Sequence, residues 1–210
     1  MNLYLVGAGG FAREIYSYLG ESDFKYEGYV LRGLLSDYKG DLDNYPEIKH
    51  RIVGDRECPA ITQDDAVIIA VASPEQKNKL YEFYINKGIN ILSFIHQTAV
   101  IGFNVKIGEG TVICPNTTLT TDITLGKCVT VNVNSTVGHD ATIGDYSTLS
   151  GHCDVTGFAK LGKRVFMGSS AVIIPKVSVG DGAIIGAGSV IVSRVKSSVT
   201  MFGNPAKRLK

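Results

Sequence analysis

The second half of the chain repeats every six residues. Stepping by six from Ile95 to Ile191, 17 consecutive positions are apolar, namely Ile95, Ile101, Ile107, Ile113, Leu119, Leu125, Val131, Val137, Ile143, Leu149, Val155, Leu161, Met167, Ile173, Val179, Ile185 and Ile191. Glycine often follows, and the residue two positions earlier is usually small or β-branched, as at Ala99, Thr117 and Ser135. A repeat kept over almost a hundred residues constrains the fold more than any other feature of this chain.

Six residues suffice for one short strand and one turn, and three such units close a triangular coil of 18 residues. The apolar residue is predicted to point inward, the small residue to fit beside it, and the glycine to relieve the backbone where the chain turns. Stacked coils would run in parallel at a strand spacing of about 4.8 Å. The period therefore predicts a parallel β-helix over residues 94–210, since a β-sandwich would show period two and irregular loops.

Residues 1–93 carry a different pattern, with strands and helices in alternation. "NLYLVGAGG", "YEGYVL" and "DAVIIAVA" are predicted strands, "FAREIYSYL" is a predicted helix, and "SPEQKNKLYEFYINKG" is a second helix with Ser73 as N-cap, Pro74 at the first position and Gly88 as its end. The segment "DYKGDLDNYPEIKHRIVGD" is polar and predicted to be loop-rich. This alternation favours a small Rossmann-like α/β domain with a parallel sheet, joined to the β-helix near Ser93.

Composition excludes several classes of protein. Net charge is +1, from 21 basic and 20 acidic residues, so no nucleic-acid footprint is expected. No apolar run approaches the roughly 18 residues of a membrane span, and the N-terminus lacks the basic start of a signal peptide. The four cysteines, Cys58, Cys114, Cys128 and Cys153, have no C-x-x-C spacing and suit a reducing compartment. We therefore expect a cytoplasmic protein without membrane insertion.

A glycine-rich turn joins the first predicted strand to the first predicted helix. Gly7, Gly9, Gly10, Phe11 and Ala12 satisfy G-x-G-x-x-A there, a pattern that lets backbone N–H groups and a helix N-terminus approach a diphosphate. An acidic residue after the second strand, Asp37, is the candidate partner for a ribose or base. A nucleotide or nucleotide-diphosphate ligand is the favoured interpretation. NAD would need more sheet than this domain offers, and a glycine-rich turn without a ligand would show the same pattern.

One corner of the predicted β-helix carries a histidine and a carboxylate, His139 and Asp140. Stacking by 18 residues places Gly157 one coil above His139, Pro175 two coils above and Thr121 one coil below. Gly157 has no side chain, which leaves space and a bare N–H beside the imidazole. A carboxylate can fix the tautomer of a general base, and a backbone N–H can polarise a thioester carbonyl. The pair suits acyl transfer, although a solvated corner histidine would show the same spacing.

The sequence resembles a family of bacterial enzymes. "YLVGAGGFAREI", the unbroken hexapeptides, "VNVNSTVGHDATIGDYSTLSGHCDVTG" and the terminal "FGNPAKRL" are similar to the nucleotide-sugar acetyltransferases of the sialic acid O-acetyltransferase-like group, which includes N-acetyltransferases of bacillosamine-type and perosamine-type amino sugars. The resemblance covers nearly the whole chain. It implies a left-handed β-helix, and it implies a homotrimer whose active sites lie between adjacent β-helices.

The resemblance also implies roles for individual residues. His139 would deprotonate the acceptor, Asp140 would assist it, Asn132 would belong to the same pocket, and the Gly157 amide would face the thioester carbonyl of acetyl-CoA. The coenzyme A groove would involve Gly168, Ser169, Ile174, Ala187, Lys207 and Arg208, and the nucleotide would be held by the N-terminal domain, including Gly7, Gly9, Gly10, Phe11 and Asp37. Acetyl-CoA is the expected co-substrate, and no metal is expected.

The implied reaction is direct N-acetylation of a nucleotide-linked 4-amino-4,6-dideoxy sugar for cell-surface glycan synthesis, such as that of O-antigen or lipopolysaccharide. Two positions depart from the family pattern where many members have histidine, Thr148 and Phe11, and the paired acidic residues after the second strand become Ser36 and Asp37. The nucleotide (UDP or dTDP), the sugar and the acetylated position stay open.

Three alternatives share this scaffold. O-acetylation would use the same base and donor. A non-catalytic nucleotide-sugar-binding module would not need the histidine corner. A γ-type carbonic anhydrase would need three zinc-binding histidines at a subunit interface, which the spacing of His139 and His152 does not favour. Cys114 and Cys153 lie at inward or near-inward positions and are predicted to pack rather than to react.

Overall fold

The computed structural model describes residues 1–20, 25–38 and 40–209. The chain divides into two compact units, the first formed by Met1–Ala72 and Lys79–Leu92, the second by Ser73–Asn78 and Ser93–Lys210. The first is an α/β unit and the second is a left-handed parallel β-helix, so the predicted fold class is confirmed. No helix within the described ranges is long and apolar enough to cross a membrane.

The first unit is built on a mainly parallel sheet. Its strands are β1 (Asn2–Val6), β2 (Lys25–Tyr26), β3 (Tyr29–Leu35), β4 (Ile52–Gly54), β5 (Ala66–Ile69) and β6 (Asn90–Ile91). The order is β2-β3-β1-β5-β6, with β4 also pairing β3. Because β3 lies on one side of β1 and β5 on the other, the strand order reverses beside β1. Ligands of such sheets bind at the carboxyl ends of the strands next to this reversal.

Two predictions for this unit need correction. The segment "YEGYVL" is not one strand: β2 and β3 form an antiparallel hairpin, because Glu27 and Gly28 both adopt positive φ, 50° and 86°, as a tight two-residue turn requires. The polar segment predicted as loop-rich contains the short helix α2 (Pro46–Lys49) and the strand β4, which pairs with β3. Lys39, within that segment, lies outside the described residues.

The two longer helices follow their sequence signals. Helix α1 (Gly10–Leu19) buries Ala12, Ile15 and Leu19 on one face. Helix α3 (Pro74–Asn86) begins after Ser73, whose Oγ accepts a hydrogen bond from the Gln76 N–H at 3.4 Å. The helix ends at Asn86, and Gly88 reverses the chain just beyond it. Gly88 has a φ of +70°, which lets the Ile89 N–H donate to the Tyr84 carbonyl. These are the ordinary start and stop devices of a helix.

Seventeen two-residue strands form the three faces of the β-helix. The first face comprises β7 (Phe94–Ile95), β10 (Val112–Ile113), β13 (Thr130–Val131), β16 (Thr148–Leu149), β19 (Phe166–Met167) and β22 (Ile184–Ile185). The second comprises β8 (Val100–Ile101), β11 (Thr118–Leu119), β14 (Thr136–Val137), β17 (Asp154–Val155), β20 (Val172–Ile173) and β23 (Val190–Ile191). The third comprises β9 (Lys106–Ile107), β12 (Thr124–Leu125), β15 (Thr142–Ile143), β18 (Lys160–Leu161) and β21 (Ser178–Val179). A terminal hairpin, β24 (Thr200–Gly203) and β25 (Ala206–Arg208), extends the first face.

The repeated apolar residues fill the interior as predicted, except in the first coil. From Ile113 to Ile191 each of them is at most 3% exposed. Ile95 and Ile101 are 37% and 36% exposed, because a coil at the end of a stack has a neighbouring coil on only one side. Each buried methylene stabilises the fold by about 0.8 kcal/mol, so the continuous column of aliphatic side chains is the main source of stability in this unit.

The glycines that follow the inward residues do not serve the purpose we predicted. The positive φ of each turn falls two residues later, at every sixth residue from Asn104 to Gly188, and non-glycine residues such as Asp140 and Phe158 occupy many of these positions. The glycines instead allow close approach of successive coils: a Cβ on Gly138 would lie 2.7 Å from the Gly157 nitrogen. Glycine is needed at these positions because a side chain would collide with the next coil, not because the backbone adopts a positive φ.

A lysine is buried within the second unit. Lys77, in the first half of α3, is 1% exposed, and its Nζ donates to Thr130 Oγ1 at 3.1 Å and to the Ser147 carbonyl at 2.9 Å. Burial lowers its pKa from 10.5 to about 7, although the nearby Cys128 acts weakly in the opposite direction. The sequence offered no sign of this contact, because a lysine on a helix is ordinarily solvated.

This lysine should make stability depend on pH. Between pH 7 and 8.5 the unfolded chain keeps Lys77 protonated while the folded chain releases the proton, so the free energy of unfolding should rise with pH, by at most about 1.4 kcal/mol per unit. Above pH 8.5 a second group opposes this effect. Burial raises the pKa of Cys128 to about 12 in the folded chain, whereas an unfolded thiol ionises near pH 9, so the free energy of unfolding falls as this thiol ionises.

Urea unfolding at several pH values measures the slope of the free energy of unfolding against pH. The variant Lys77→Met should lose it, whereas Lys79→Met, an exposed lysine on the same helix, should keep it. An equal slope in the wild type and in Lys77→Met would contradict a neutral buried lysine.

Candidate active site

The turns that follow second-face strands stack into a corner, here the His corner, which carries the predicted base. His139 follows β14, and its Nδ1 lies 2.9 Å from Asp140 Oδ2. A carboxylate only accepts hydrogen bonds, so Nδ1 carries the proton and Nε2 is left as the acceptor. Asp140 reaches the ring because its backbone adopts a positive φ of 60° at the turn. Both side chains are exposed, as a group that meets a substrate must be.

Gly157 stacks directly over the imidazole. A Cβ at this position would lie 2.6 Å from His139 Nε2 and 2.8 Å from Cε1, so the ring occupies the space that any side chain would need. The Phe158 ring packs edge-on against the imidazole, with centroids 5.1 Å apart. Together with Asp140, these neighbours restrict the ring to one orientation.

The Gly157 amide is available to a ligand, in contrast to two amides at equivalent turns of another corner. On the corner that follows third-face strands, here the charged corner, the Lys127 N–H donates to Asp145 and the Lys163 N–H donates to Asp181, each carboxylate coming from the coil above. The residue above Gly157 is Pro175, which offers no side-chain acceptor. Within the described residues the Gly157 N–H has no hydrogen-bond partner. An N–H donor without an acceptor therefore lies in the turn that stacks over the imidazole.

A second carboxylate lies one coil below Asp140. Asp122 occupies the same turn position, and it accepts hydrogen bonds from Asn104 Nδ2 at 2.7 Å and from Thr121 Oγ1 at 2.9 Å. These two bonds, that from Asn104 first, hold the pKa of Asp122 below its usual value. The His corner therefore presents two carboxylates near one imidazole. The sequence analysis missed Asp122 and Phe158, although the 18-residue spacing from Asp140 would have found both.

The other predicted residues of the β-helix are divided between two corners. Ile174 lies on the His corner, whereas Asn132, Gly168, Ser169 and Ala187 lie on the corner that follows first-face strands, here the small-residue corner. Asn132 uses its Oδ1 to accept the Val133 N–H, and no contact joins it to His139 within the described part of the chain. One chain thus brings together His139, Asp140 and Gly157 but not Asn132.

Three further positions that the sequence analysis named lie in the β-helix unit. Lys207 and Arg208 are exposed on β25 of the terminal hairpin. Thr148 is 2% exposed on the first face, so the position where some relatives have histidine is buried here. No group of three or more His, Cys, Asp or Glu side chains is placed to hold a metal ion in residues 1–20, 25–38 and 40–209.

The glycine turn lies where the strand order of the first unit reverses. Gly7 directly follows β1 and has a φ of +119°. A Cβ on Gly7 would lie 2.9 Å from the carbonyl oxygen of Ala70, the residue after β5. Gly9 is the N-cap of α1, and a Cβ on it would meet nothing within 4 Å. No side chain caps α1, so its first N–H groups face open space next to Gly10 and Phe11.

Asp37 is placed after β3, at the same edge of the sheet, and is already engaged. Its carboxylate accepts the Arg56 N–H at 3.1 Å and pairs with Arg56 Nε at 3.1 Å. It also borders an open cavity of about 450 Å³, lined in part by Asp41, Asp43 and Lys49. The sequence located this carboxylate but not its arginine partner.

Comparisons with known proteins agree with this architecture. Residues 158–193 match the family model described as bacterial transferase hexapeptide (six repeats). WeeI from Acinetobacter baumannii AYE is 30% identical, with 99% of each chain covered and a TM-score of 0.84. The acetyltransferase domain of PglB from Neisseria gonorrhoeae FA1090 is 24% identical, with 99% of each chain covered and a TM-score of 0.87.

PerB from Caulobacter crescentus, solved with CoA and GDP-perosamine, is 24% identical and has a TM-score of 0.84, with 100% of this chain and 98% of that chain covered. The chain spans about a quarter, 26%, of the length of the first curated relatives it matches. The fold and the repeats define a hexapeptide-repeat transferase. Because the likeness to WeeI runs at 30% identity over the full chain, the protein belongs to the family it resembles, the bacterial nucleotide-sugar acetyltransferases.

Adding one methyl group at Gly157 tests how closely this residue packs against the His139 ring. In Gly157→Ala the new Cβ should displace the imidazole and break its bond to Asp140, whereas the fold should persist because the Gly157 backbone does not have a positive φ. A crystal structure of the variant measures the ring position, and circular dichroism monitors the fold. An unmoved ring with the 2.9 Å bond intact would contradict the stacking described above.

Proposed function

We propose that the protein acetylates the amino group of a nucleotide-linked 4-amino sugar, with acetyl-CoA as the donor. The amine nitrogen attacks the thioester carbonyl, the new C–N bond forms, and the C–S bond breaks. His139 Nε2 takes the proton that the amine loses, and the protonated imidazole then gives this proton to the departing thiolate of coenzyme A. Transfer is direct, so no covalent enzyme intermediate is involved.

The observation that carries this proposal is the position of His139 between Asp140 and Gly157. The 2.9 Å bond at Nδ1 directs the basic lone pair of Nε2 outward, as general-base catalysis requires. The Gly157 N–H has no partner among the described residues and belongs to the turn stacked over this imidazole, which supports polarisation of the thioester carbonyl and stabilisation of the oxyanion. A base and an oxyanion donor one coil apart are the minimal equipment for acyl transfer.

Two observations support an amine as the acceptor. Asp140 and Asp122 lie one coil apart, about 4.8 Å along the axis, so the corner attracts a cationic ammonium group. In addition, PerB is solved with GDP-perosamine, a nucleotide-linked sugar. An O-acetyltransferase would use the same imidazole and amide, but a neutral hydroxyl would gain little from the second carboxylate.

The distribution of residues over two corners supports a site shared between copies. His139 and Gly157 lie on the His corner, whereas Asn132, Gly168, Ser169 and Ala187 lie on the small-residue corner of the same chain. If all of them serve one reaction, the His corner of one copy must face the small-residue corner of another. A closed ring of three copies satisfies this requirement for every site. The charged corner, with its alternating Glu109, Lys127, Asp145, Lys163 and Asp181, is left outside the site.

Substrate binding is divided in the same proposal. The small-residue corner, where the small side chains of Ser169 and Ala187 are exposed and Gly168 lets the coils approach, accepts the pantetheine arm together with Ile174 of the facing His corner. Lys207 and Arg208 supply charge for the phosphates of coenzyme A. The nucleotide binds the first unit at Gly7, Gly9, Gly10 and Phe11, with Asp37 contacting its ribose or base.

Substitution of the histidine tests the mechanism. His139→Ala should reduce turnover by about 10²–10⁴-fold, the usual contribution of a general base, while coenzyme A binding stays within about twofold. Asp140→Asn should cost less, because it alters only the orientation of the ring. Gly157→Ala added to His139→Ala should cause no further loss if the alanine acts through the ring. Turnover that survives His139→Ala would refute the mechanism.

Free coenzyme A release from acetyl-CoA identifies the acceptor. The panel contains UDP-, dTDP- and GDP-linked 4-amino-4,6-dideoxy sugars and their 4-hydroxy counterparts. Release with one amino sugar, lost in His139→Ala, is the expected result. Release only with a hydroxylated sugar would assign O-acetylation. No release of coenzyme A with any sugar of the panel would refute the proposal.

A further inference from the structure

An arginine beside the glycine turn has no structural explanation. Arg13 lies in the first half of α1, where a positive charge is unfavourable because the helix dipole is positive at that end. It forms no ion pair within residues 1–20, 25–38 and 40–209. Its Nε is buried and has no hydrogen-bond partner there. A buried N–H of a cation without an acceptor costs free energy of the order of 1–3 kcal/mol, so the position of this arginine is unfavourable for the fold alone.

The guanidinium is nevertheless held in place. It lies over the Tyr45 ring with its central carbon 3.7 Å from the ring centroid, a cation–π contact that fixes the plane of the group. Tyr45 is the residue before α2, so this contact joins the polar segment of the domain to the start of α1. A side chain restrained without any polar partner is organised in advance for a ligand.

The restrained group borders the open space over the glycines. Arg13 Nη2 lies 3.8 Å from the position of a Cβ on Gly10, and the space over Gly9 is empty to at least 4 Å. The uncapped N–H groups of α1 face the same region. Backbone donors, the positive end of a helix dipole and a guanidinium thus converge on one space, and planar N–H pairs of arginine match phosphate oxygens in particular.

We propose that Arg13, oriented by Tyr45, binds the diphosphate of the nucleotide-linked substrate. The inference rests on the proposed function, since it assigns a further binding residue to the nucleotide site. The phosphate oxygens accept from the guanidinium and from the first N–H groups of α1 at the same time. The nucleoside is recognised elsewhere, so Arg13 contributes to affinity for the diphosphate alone.

Calorimetric titration of the full chain with UDP, dTDP and GDP, and with uridine, thymidine and guanosine, tests this assignment. Arg13→Met keeps the length and the contact with Tyr45 but removes the charge, and it should weaken the bound diphosphate at least tenfold, about 1.4 kcal/mol, while nucleoside binding is unchanged. Tyr45→Leu should weaken the diphosphate less. Arg32→Met is the control: Arg32 is an exposed arginine of the same unit that donates to Asn2 Oδ1, and its loss should have no effect.

The outcomes separate this inference from the function on which it rests. If the wild type binds a diphosphate and Arg13→Met binds it equally well, the role of Arg13 is wrong and the nucleotide site stands. If Arg13→Met loses nucleoside and diphosphate alike, Arg13 supports the fold of the site and the assignment also fails. If the wild type binds none of the three diphosphates, the nucleotide site of the proposed function is itself refuted. Thermal unfolding monitors the fold of each variant.

Discussion

Close approach of successive coils is the constraint on which the active site depends. Backbones of neighbouring coils are about 4.8 Å apart, so the side chain at each corner faces the residue 18 positions away and little else. At the His corner that residue is Gly157, and the imidazole fills the volume that a Cβ would occupy. The same constraint leaves the Gly157 amide open, because the next residue of the column is Pro175. The proposed base and the proposed oxyanion donor therefore both result from one stacking column.

The three corners of the prism differ because their columns carry different residues. Alternating charges on the charged corner supply carboxylates that bond the amides of the coil below, as Asp145 does for Lys127. The amides of Lys127 and Lys163 are therefore already satisfied within the chain. The small-residue corner exposes the small side chains of Ser169 and Ala187, which leave room for a chain-like ligand. The chemistry on the His corner and the room on the small-residue corner are separated within one chain, which makes association of copies part of the proposed mechanism.

Features that depend on the repeat period or on local signals could be predicted from the sequence. A six-residue repeat of one strand and one turn closes into coils of 18 residues, so the β-helix, its inward residues and the placement of Gly157 over His139 could be derived from the sequence, whereas its handedness was implied only by the family resemblance. Helix ends at Ser73 and Gly88 were equally accessible, because capping is local. The glycines after the inward residues were located correctly but explained wrongly, since close approach and positive φ both select glycine.

Contacts between residues distant in sequence and outside the repeat could not be predicted. Lys77 and Thr130 are 53 residues apart, and nothing near either residue indicates a buried amine. The pairing of Asp37 with Arg56 and the stacking of Arg13 on Tyr45 depend on how the polar segment folds back on the sheet. The last two contacts lie in the unit that carries the proposed nucleotide site, whose location could be predicted from the glycine pattern whereas its charge environment could not.

Co-expression of two inactive chains measures most directly whether the His corner works with the small-residue corner of another copy. One chain carries His139→Ala, and the other carries Ser169→Trp, which fills the exposed small-residue corner without touching the core. In a ring of randomly mixed copies, about a quarter of the sites combine two intact corners, so coenzyme A release should recover to about a quarter of the wild-type rate. A mixture as inactive as either variant alone, with mixed oligomers present, would place the whole site within one chain and contradict the account.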